Sequence, residues 1–306
     1  MPKNAASGGL STPKAVKGIN MASAMDKRKT LRKMLQQPIC HLAPSCNDGI
    51  QARLVEWLSV PLVHISGSSL HRAFGFADAG LLTMTEMVNR AREIVDAVGI
   101  PVVSDAETGY GNPVNVVRAV REFERAGVAA IHIEDQMTPK RGGHENTDVG
   151  LVSKVEMVAK IKAALDARED ENMVIIARSE AKDSLQERLD RLLAYSEAGA
   201  DAVWVSARSE DDMRAFAKIG KPLVGVLPRQ IMTISRFGEL GGRVGCIPNI
   251  LQVAALHGMR RCLEELTRSG TETAYVKETT GFEDTRKWYT ELGSKELKSL
   301  AEKYRY

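Results

Sequence analysis

Residues 125–136, with the sequence RAGVAAIHIEDQ, form the stretch that decides the fold. Gly127 ends a helical stretch, a mostly apolar run covers residues 128–133, and two acids, Glu134 and Asp135, follow that run directly. Glycine is the usual left-handed stop of a helix, and short apolar runs are typical of strands buried on both faces. We therefore predict a helix, a tight loop and a buried strand whose end carries acidic side chains.

The same junction recurs at residues 97–99 (AVG) and 197–199 (EAG). Buried strands alternating with amphipathic helices favour an α/β fold, a (β/α)8 barrel of the TIM type. A doubly wound sheet is the alternative, but Gly109-Tyr-Gly111 lacks the third glycine of a dinucleotide-binding loop. The predicted strands cover residues 39–44, 62–66, 102–105, 130–134, 174–177, 202–205, 223–226 and 243–246.

Helical spacing of apolar residues also continues beyond the last predicted strand. We expect residues 1–26 to be a disordered extension and residues 27–306 to be one barrel domain. Its C-terminal helical arm, residues 248–306, either caps the barrel or docks on a neighbouring subunit. The predicted helices cover residues 83–98, 115–126, 153–167, 184–198, 252–268, 282–292 and 294–304.

The charge of the 306-residue chain is +3, and residues 1–24 carry three lysines and no acid. The rest of the chain is therefore about neutral, which argues against nucleic acid or an anionic membrane as a partner. No apolar run approaches the roughly 20 residues of a membrane-spanning helix. The four cysteines form no C-x-x-C pair, so we expect reduced thiols and a cytoplasmic location.

Charged residues follow three neighbouring predicted strands, where the chemistry of a parallel barrel is found. Asp105 and Glu107 follow the third strand, Glu134 the fourth and Arg178 the fifth. Carboxylates suit Mg²⁺ or Mn²⁺, and an arginine suits a carboxylate or a phosphate of a ligand. Each signal alone also fits a helix cap or a solvated side chain. Together they predict a shared site with these groups within about 10 Å of one another.

Two further stretches offer groups for an anionic ligand. Residues 66–68 (SGS) supply hydroxyl and backbone N–H donors after the second strand. Residues 139–144 (PKRGGH) fit a loop that closes over the site, although an ordinary solvated basic loop is the alternative. The partner that these groups predict is a small acid.

In this order, the motifs resemble the isocitrate lyase/phosphoenolpyruvate mutase superfamily over about residues 30–290. The similarity is greatest to short members such as the 2-methylisocitrate lyases, the oxaloacetate decarboxylases and the carboxyphosphonoenolpyruvate mutase-like proteins. The resemblance implies a barrel whose C-terminal helix is exchanged between subunits, in a homotetramer built as a dimer of dimers. It also implies Mg²⁺-dependent enolate chemistry on a 2-oxo or 2-hydroxy acid.

The resemblance also assigns roles to individual residues. It does not assign the proton donor, for which the chemistry of the reaction leaves solvent, Tyr110 or His144 as hypotheses. Arg178 and Glu134 are expected to take part in catalysis, and Glu134 also in metal binding. The metal site is expected to comprise Asp105, Glu107 and Glu134. The substrate is expected to contact Ser66, Gly67, Ser68, Asp78, Lys140, Arg141 and Arg178.

The sequence departs from the lyase pattern at several positions. Gly142 replaces the cysteine that serves the lyases as acid, and Glu107 replaces the usual aspartate. Ser206 stands where the lyases have a carboxylate, and residues 223–228 lack their asparagine. Because decarboxylation of an oxaloacetate-type acid needs no thiol, it is the favoured reaction. Retro-aldol cleavage with another acid, P–C bond chemistry and a non-catalytic barrel are the alternatives.

Overall fold

The chain folds into alternating strands and helices. The structure, a computed structural model, describes residues 22–140, 150–182, 184–228, 230–278 and 292–305. The strands in these ranges agree with the predicted ones to within two residues at each end. They are β1 (His41–Pro44), β2 (Val63–Ile65), β3 (Val102–Asp105), β4 (Ala130–Glu134), β5 (Val174–Arg178), β6 (Ala202–Val205), β7 (Leu223–Val226) and β8 (Gly242–Ile247).

All eight of these strands are parallel and lie in one sheet, in the order β1-β8-β7-β6-β5-β4-β3-β2. The two ends of the sheet meet where Cys46 N–H donates to the His64 carbonyl at 2.9 Å and Ser45 pairs with His64. The sheet is therefore nearly closed, and the predicted (β/α)8 barrel is confirmed.

Helices follow the strands around the barrel. The side chain of Asn112 accepts from the amides of Val114 and Asn115, so α5 begins at Pro113, two residues before the predicted start. Except for Leu292, the predicted helix 282–292 lies outside the described residues. The helices are α1 (Ala24–Gln36), α2 (Gly49–Trp57), α3 (Gly67–Ala73), α4 (Met84–Ala97), α5 (Pro113–Arg125), α6 (Lys154–Ala167), α7 (Leu185–Glu197), α8 (Glu210–Ala217), α9 (Ile234–Glu239), α10 (Ile250–Ser269), α11 (Thr273–Glu278) and α12 (Ser294–Tyr304).

Helix α1 covers the N-terminal end of the barrel. It begins at Ala24, inside the segment 1–26 that was expected to be an extension, because Ser23 caps it by accepting from the Asp26 amide. Leu31 belongs to the same buried cluster as the inward-facing side chains of the strands. Arg28 donates to the carbonyls of Glu124 at 2.6 Å and Val128 at 3.1 Å. This end is therefore closed, and the opposite end is left for a site.

The core has two layers, one inside the barrel and one between the strands and the helices. The inner layer is built mainly of small and medium side chains such as Ala130, Val174 and Val244, and Trp204 is its largest member. Because side chains fill the barrel interior, ligands have access only to the strand ends and loops. None of the described helices is long and apolar enough to span a membrane.

Candidate active site

The turn after β3 places two carboxylates side by side. Asp105 is 4% exposed, and its Oδ1 accepts from the backbone N–H of Glu107 at 2.8 Å. Glu107 and Tyr110 both have left-handed backbone conformations, with φ of 52° and 61°. Such conformations are costly for residues with a Cβ and are concentrated at functional sites. The strained turn directs the Glu107 carboxylate back towards Asp105.

The β2–α3 junction packs against this carboxylate pair. Gly67 N–H donates to Asp105 Oδ2 at 3.0 Å, so in this structure the amide orients Asp105. A Cβ on Gly67 would lie 2.1 Å from Glu107 Oε1 and 2.9 Å from Asp105 Oδ2. Ser66 and Ser68 flank Gly67, and the Ser66 side chain caps α3 by accepting from the Ser69 amide. The predicted substrate-binding turn thus lies against the predicted metal ligands.

Lys140 extends into the centre of the carboxylates. Its Nζ contacts the Glu107 carboxylate, lies 2.8 Å from Glu134 Oε1 and lies 3.7 Å from Asp78 Oδ1. The sequence placed Lys140 on a substrate loop with Arg141 and His144. Those two residues and Gly142 lie outside the described residues. Lys140 itself belongs to the cluster at the strand ends.

Arg178, at the end of β5, joins the two halves of the cluster. Its Nη1 lies 3.6 Å from Asp105 Oδ2, and its Nη2 lies 3.3 Å from Glu134 Oε2. Asp105, Glu134 and Arg178 therefore lie well within the 10 Å that the sequence predicted. The guanidinium also lies 5.3 Å from the centroid of the Trp204 ring, which holds its plane by a cation–π contact.

The pKa values of the two paired carboxyl groups shift in opposite directions, because positive groups outweigh burial at Asp105 but not at Glu107. Burial raises the pKa of Glu107 to about 8, because the neighbouring carboxylates Asp105 and Glu134 add to it and Lys140 offsets only part. Burial also acts on Asp105, but His132 and Arg178 outweigh it and hold its pKa well below the usual range. Asp105 is therefore ionised at neutral pH, whereas Glu107 readily holds a proton.

Opposite charges dominate at Glu134 and Lys140. Burial favours neutral Glu134, yet Lys140 and Arg178 outweigh this effect and lower its pKa. The carboxylates likewise outweigh burial at Lys140 and raise its pKa well above the usual range. Glu134 and Lys140 therefore form a buried ion pair that stays charged at neutral pH.

The donor set of the cluster fits a divalent metal ion. The buried oxygens of Glu107 and Glu134 have no hydrogen-bond donors among the described residues other than Lys140 and Arg178. Hard carboxylate oxygens of this kind are the ligands that Mg²⁺ and Mn²⁺ prefer. Ligand atoms of His71, Asp78 and Glu107 also lie within 4.8 Å of one another. The His71 nitrogens already have hydrogen-bond partners, so Asp105, Glu107 and Glu134 fit the ion better.

Tyr110 lies close to the same cluster. Its hydroxyl is buried and has no hydrogen-bond partner within the described ranges. Burial, with the nearby Glu107 and Asp105 carboxylates, raises its pKa well above the usual value. The phenol is therefore neutral and retains its proton, as a proton donor must. Its role as the donor stays a prediction.

Sequence reasoning missed the pair of imidazoles beneath the site. The Nε2 atoms of His64 and His132 lie 3.1 Å apart, and His132 Nδ1 lies 3.5 Å from Asp105 Oδ1. Burial lowers the pKa of His132 to about 4, against the pull of Asp105. A signal was available, because residues 64 and 132 point into the barrel interior from β2 and β4, the strands on either side of β3.

Sequence reasoning also missed the acids that hold the β5 end. Glu180 Oε1 accepts from Arg178 Nε at 2.6 Å. The buried Asp135 accepts from Ser179 Oγ, from Glu180 N and from Tyr195 OH, each at 2.8 Å. Adjacent acids at the end of β4 therefore have separate partners: Glu134 enters the cluster, and Asp135 orders the loop behind Arg178.

Comparisons with known proteins agree with this architecture. The family model for phosphoenolpyruvate phosphomutase matches residues 31–267. The chain is 46% identical over 198 residues to 2,3-dimethylmalate lyase from Eubacterium barkeri, which covers 62% of this chain and 67% of that protein. It is 36% identical over 249 residues to oxaloacetate decarboxylase from Chromohalobacter salexigens, covering 79% and 86% of the two chains.

A solved structure shows the same fold. The structure of phosphonopyruvate hydrolase in complex with oxalate and Mg²⁺ superposes with a TM-score of 0.81 at 30% identity, over 92% of this chain and 99% of that one. Residues 31–267, which the family model matches, include all eight strands and every charged residue of the cluster described above. The chain therefore belongs to the phosphoenolpyruvate phosphomutase family, within the isocitrate lyase/phosphoenolpyruvate mutase superfamily of carbon–carbon lyases.

Proposed function

We propose that the protein is a divalent-metal-dependent lyase that decarboxylates a small 2-oxo dicarboxylic acid of the oxaloacetate type. The observation that carries this proposal is the position of Arg178. Its guanidinium lies within 4 Å of both Asp105 and Glu134, and Lys140 closes the other side of the same cluster. A chelating acid between these groups would meet carboxylate oxygens for a metal and two cations for its own charges.

The metal ligands in this proposal are Asp105, Glu107 and Glu134. A Mg²⁺ or Mn²⁺ ion held by them would supply Lewis-acid stabilisation of negative charge on the substrate. Oxalate and Mg²⁺ are named in the related hydrolase structure, which supports a site for both a small diacid and a metal. The raised pKa of Glu107 also favours a cation, because a metal ion would replace the proton that this carboxyl group otherwise holds.

Arg178 and Lys140 would stabilise the negative charges of the substrate. Arg178, fixed by Glu180 and by the Trp204 ring, would hold the 2-oxo oxygen and the adjacent carboxylate. When the carbon–carbon bond to the distal carboxylate breaks, CO₂ leaves. The electron pair of that bond forms the enolate, whose negative charge Arg178 and Lys140 would stabilise. Ser66, Gly67 and Ser68 would hold the far side of the acid.

The enolate then needs one proton at the carbon that lost CO₂. Tyr110 is our first candidate, because its neutral hydroxyl is buried beside the cluster without a partner among the described residues. His144 is the second candidate and lies outside the described residues. Gly142 has no proton to give, so a route through a thiol at that position is excluded.

A second reaction has its own support. The loop after β7 lines a cavity of about 520 Å³ with Leu227, Pro228, Gln230 and Ile231. Three of these four side chains, Leu227, Pro228 and Ile231, are apolar, and such groups at a strand end suit an alkyl-substituted malate better than a tricarboxylate. The similarity to 2,3-dimethylmalate lyase points the same way. Retro-aldol cleavage of such a 2-hydroxy acid, which also yields pyruvate, is therefore the second candidate.

Pyruvate formation separates these candidates. Oxaloacetate, 2,3-dimethylmalate and 2-methylisocitrate are each incubated with the protein and Mg²⁺ or Mn²⁺, with EDTA, and with metal alone. We expect metal-dependent pyruvate from oxaloacetate that Asp105→Ala abolishes and that the exposed control Asp166→Ala leaves intact. Faster turnover of dimethylmalate would make retro-aldol cleavage the main activity. No turnover of any substrate would favour P–C chemistry or a non-catalytic barrel.

We also propose a homotetrameric assembly and a cytoplasmic location. The apolar side chains of Val253, Leu256 and Leu263 on α10 are 56–61% exposed, a face that suits exchange with a second copy. Light scattering of the purified chain tests the tetramer, since Leu256→Glu with Leu263→Glu should reduce its mass. The neutral body and the free cysteines support the cytoplasm, with no nucleic-acid or membrane partner.

A further inference from the structure

His71 is a buried imidazole on α3 whose two nitrogens contact different parts of the backbone. It is 0% exposed. Its Nδ1 lies 2.8 Å from the carbonyl oxygen of Gly67. Its Nε2 lies 3.1 Å from the amide nitrogen of Leu81 and 3.2 Å from that of Leu82. Three backbone groups therefore converge on one ring.

These contacts define the tautomer. A backbone amide can only donate, so Nε2 must present its lone pair to Leu81 and Leu82. A carbonyl can only accept, so Nδ1 must carry the hydrogen that points at Gly67. His71 is thus a neutral ring whose two nitrogens are both occupied. The ring has no nitrogen left for a metal, although it lies among ligand-type groups of Asp78 and Glu107.

The two sides of this ring lead to two parts of the candidate active site. The carbonyl it holds belongs to Gly67, whose own N–H orients Asp105. The two amides that donate to the ring belong to Leu81 and Leu82. These are the last residues of the stretch 75–82, which we call the Asp78 segment. Asp78 Oδ1 in that segment lies 3.7 Å from Lys140 Nζ. A Cβ on Gly80 would lie 3.4 Å from the backbone and side chain of Lys140.

Few side chains of the Asp78 segment are buried. Leu82 is its one buried residue, and most of the others are exposed. The Phe76 amide donates to the backbone carbonyl of His71 at 2.9 Å, which again ties the segment to the same residue. A segment with few buried contacts opens easily unless its hydrogen bonds hold it.

We propose that His71 is a positioning residue whose hydrogen bonds link the Asp78 segment to the Gly67 turn and so hold Asp78 against Lys140. The imidazole acts as a neutral two-sided hydrogen-bonding group and not as a metal ligand. Its relevance to turnover rests on the proposed function. The link between the Asp78 segment and the Gly67 turn does not depend on that function, so it is measured without substrate.

Two substitutions separate the two sides of the ring. The amide of His71→Asn can still donate to Gly67 but is too short to accept from Leu81 and Leu82. The longer side chain of His71→Gln can still accept from those amides. Arg72→Gln, an exposed neighbour on the same helix, is the matched control. Hydrogen exchange of residues 75–82 and Mn²⁺ affinity are measured for each protein, with residues 113–125 of α5 as the internal reference.

We expect exchange over residues 75–82 to be about tenfold faster in His71→Asn and close to wild type in His71→Gln. Mn²⁺ affinity should change less than the exchange rate in His71→Asn and remain close to wild type in His71→Gln, since the ring is not a ligand. Unchanged exchange in His71→Asn would overturn the proposal. So would Mn²⁺ affinity that falls more than about tenfold in both variants. Absence of turnover with every substrate would contradict the proposed function and leave the exchange result standing.

With active protein, the kinetic constants give a further readout. Displacing Asp78 and Lys140 should raise KM in His71→Asn by about tenfold and change kcat less. His71→Gln should restore most of the loss. Equal losses in both variants would indicate a merely structural role and contradict the positioning assignment.

Discussion

Lys140 Nζ lies 2.8 Å from Glu134 Oε1, so the chain returns a lysine to the strand end that it left six residues earlier. The same ammonium contacts Glu107 and lies near Asp78. With Asp105, these make four carboxyl groups around two cations, Lys140 and Arg178. The cluster therefore retains negative charge that a divalent ion would neutralise.

The close approach of Gly67 to the carboxylates predicts a sharp effect of one methyl group. Gly67→Ala places a Cβ against Glu107 and Asp105, which must then move apart. We expect Mn²⁺ affinity to fall by more than about tenfold, measured by electron paramagnetic resonance. Gly220→Ala is the matched control, because a Cβ there meets nothing within 4 Å. It should cost about 1 kcal/mol through its positive φ and leave Mn²⁺ affinity unchanged. Equal Mn²⁺ affinity of the two variants would refute this geometry.

The raised pKa of Glu107 predicts a pH-dependent stability. The group titrates near 4.5 in the unfolded chain and near 8 in the folded one. Between these values the folded protein binds an extra proton, so its contribution to the free energy of unfolding falls as pH rises. Glu107→Gln mimics the protonated group and should lose this dependence. Urea denaturation in EDTA should show the variant more stable than wild type at pH 8.5, with a clearly smaller difference at pH 5.5. A constant difference at both pH values would contradict the assignment.

Much of this site follows from the sequence because it depends on strand ends. Asp105, Glu134 and Arg178 end consecutive strands, and parallel strands in a barrel bring such ends together. Lys140 was assigned to a loop, because sequence spacing does not show how far a lysine side chain reaches back. Glu180, His71 and Trp204 were missed for a similar reason. Their contacts depend on side-chain directions that only tertiary packing determines.

The contacts of the Arg178 guanidinium with three carboxylates predict that a positive charge alone at this position does not support activity. Arg178→Lys keeps the positive charge but cannot contact Asp105, Glu134 and Glu180 together. We expect kcat/KM for oxaloacetate to fall on the order of 100-fold, while circular dichroism shows an intact fold. Arg118→Lys on the exposed face of α5 should have no such effect. Full activity of Arg178→Lys would remove the arginine from the proposed mechanism.

Arg28 on helix α1 is expected to stabilise the N-terminal end of the barrel. Arg28 is 6% exposed and bonds to Glu124, to Val128 and to Asp170. Arg28→Ala leaves these groups without their donor and should lower the free energy of unfolding by about 2–3 kcal/mol. Lys29→Ala, exposed on the same helix, should change it by less than about 0.5 kcal/mol. Chemical denaturation measures both, and similar small effects would show that α1 is dispensable for the barrel.

The central claim is that the strand-end carboxylates form one divalent-metal site, and direct Mn²⁺ titration tests it. Electron paramagnetic resonance of the wild-type chain should show one Mn²⁺ bound per subunit. Asp105→Asn keeps the shape of the side chain and removes its charge, so Mn²⁺ affinity should fall by more than about tenfold. Asp166→Asn, exposed on α6, should bind as wild type does. Unaltered Mn²⁺ affinity in Asp105→Asn would contradict the account.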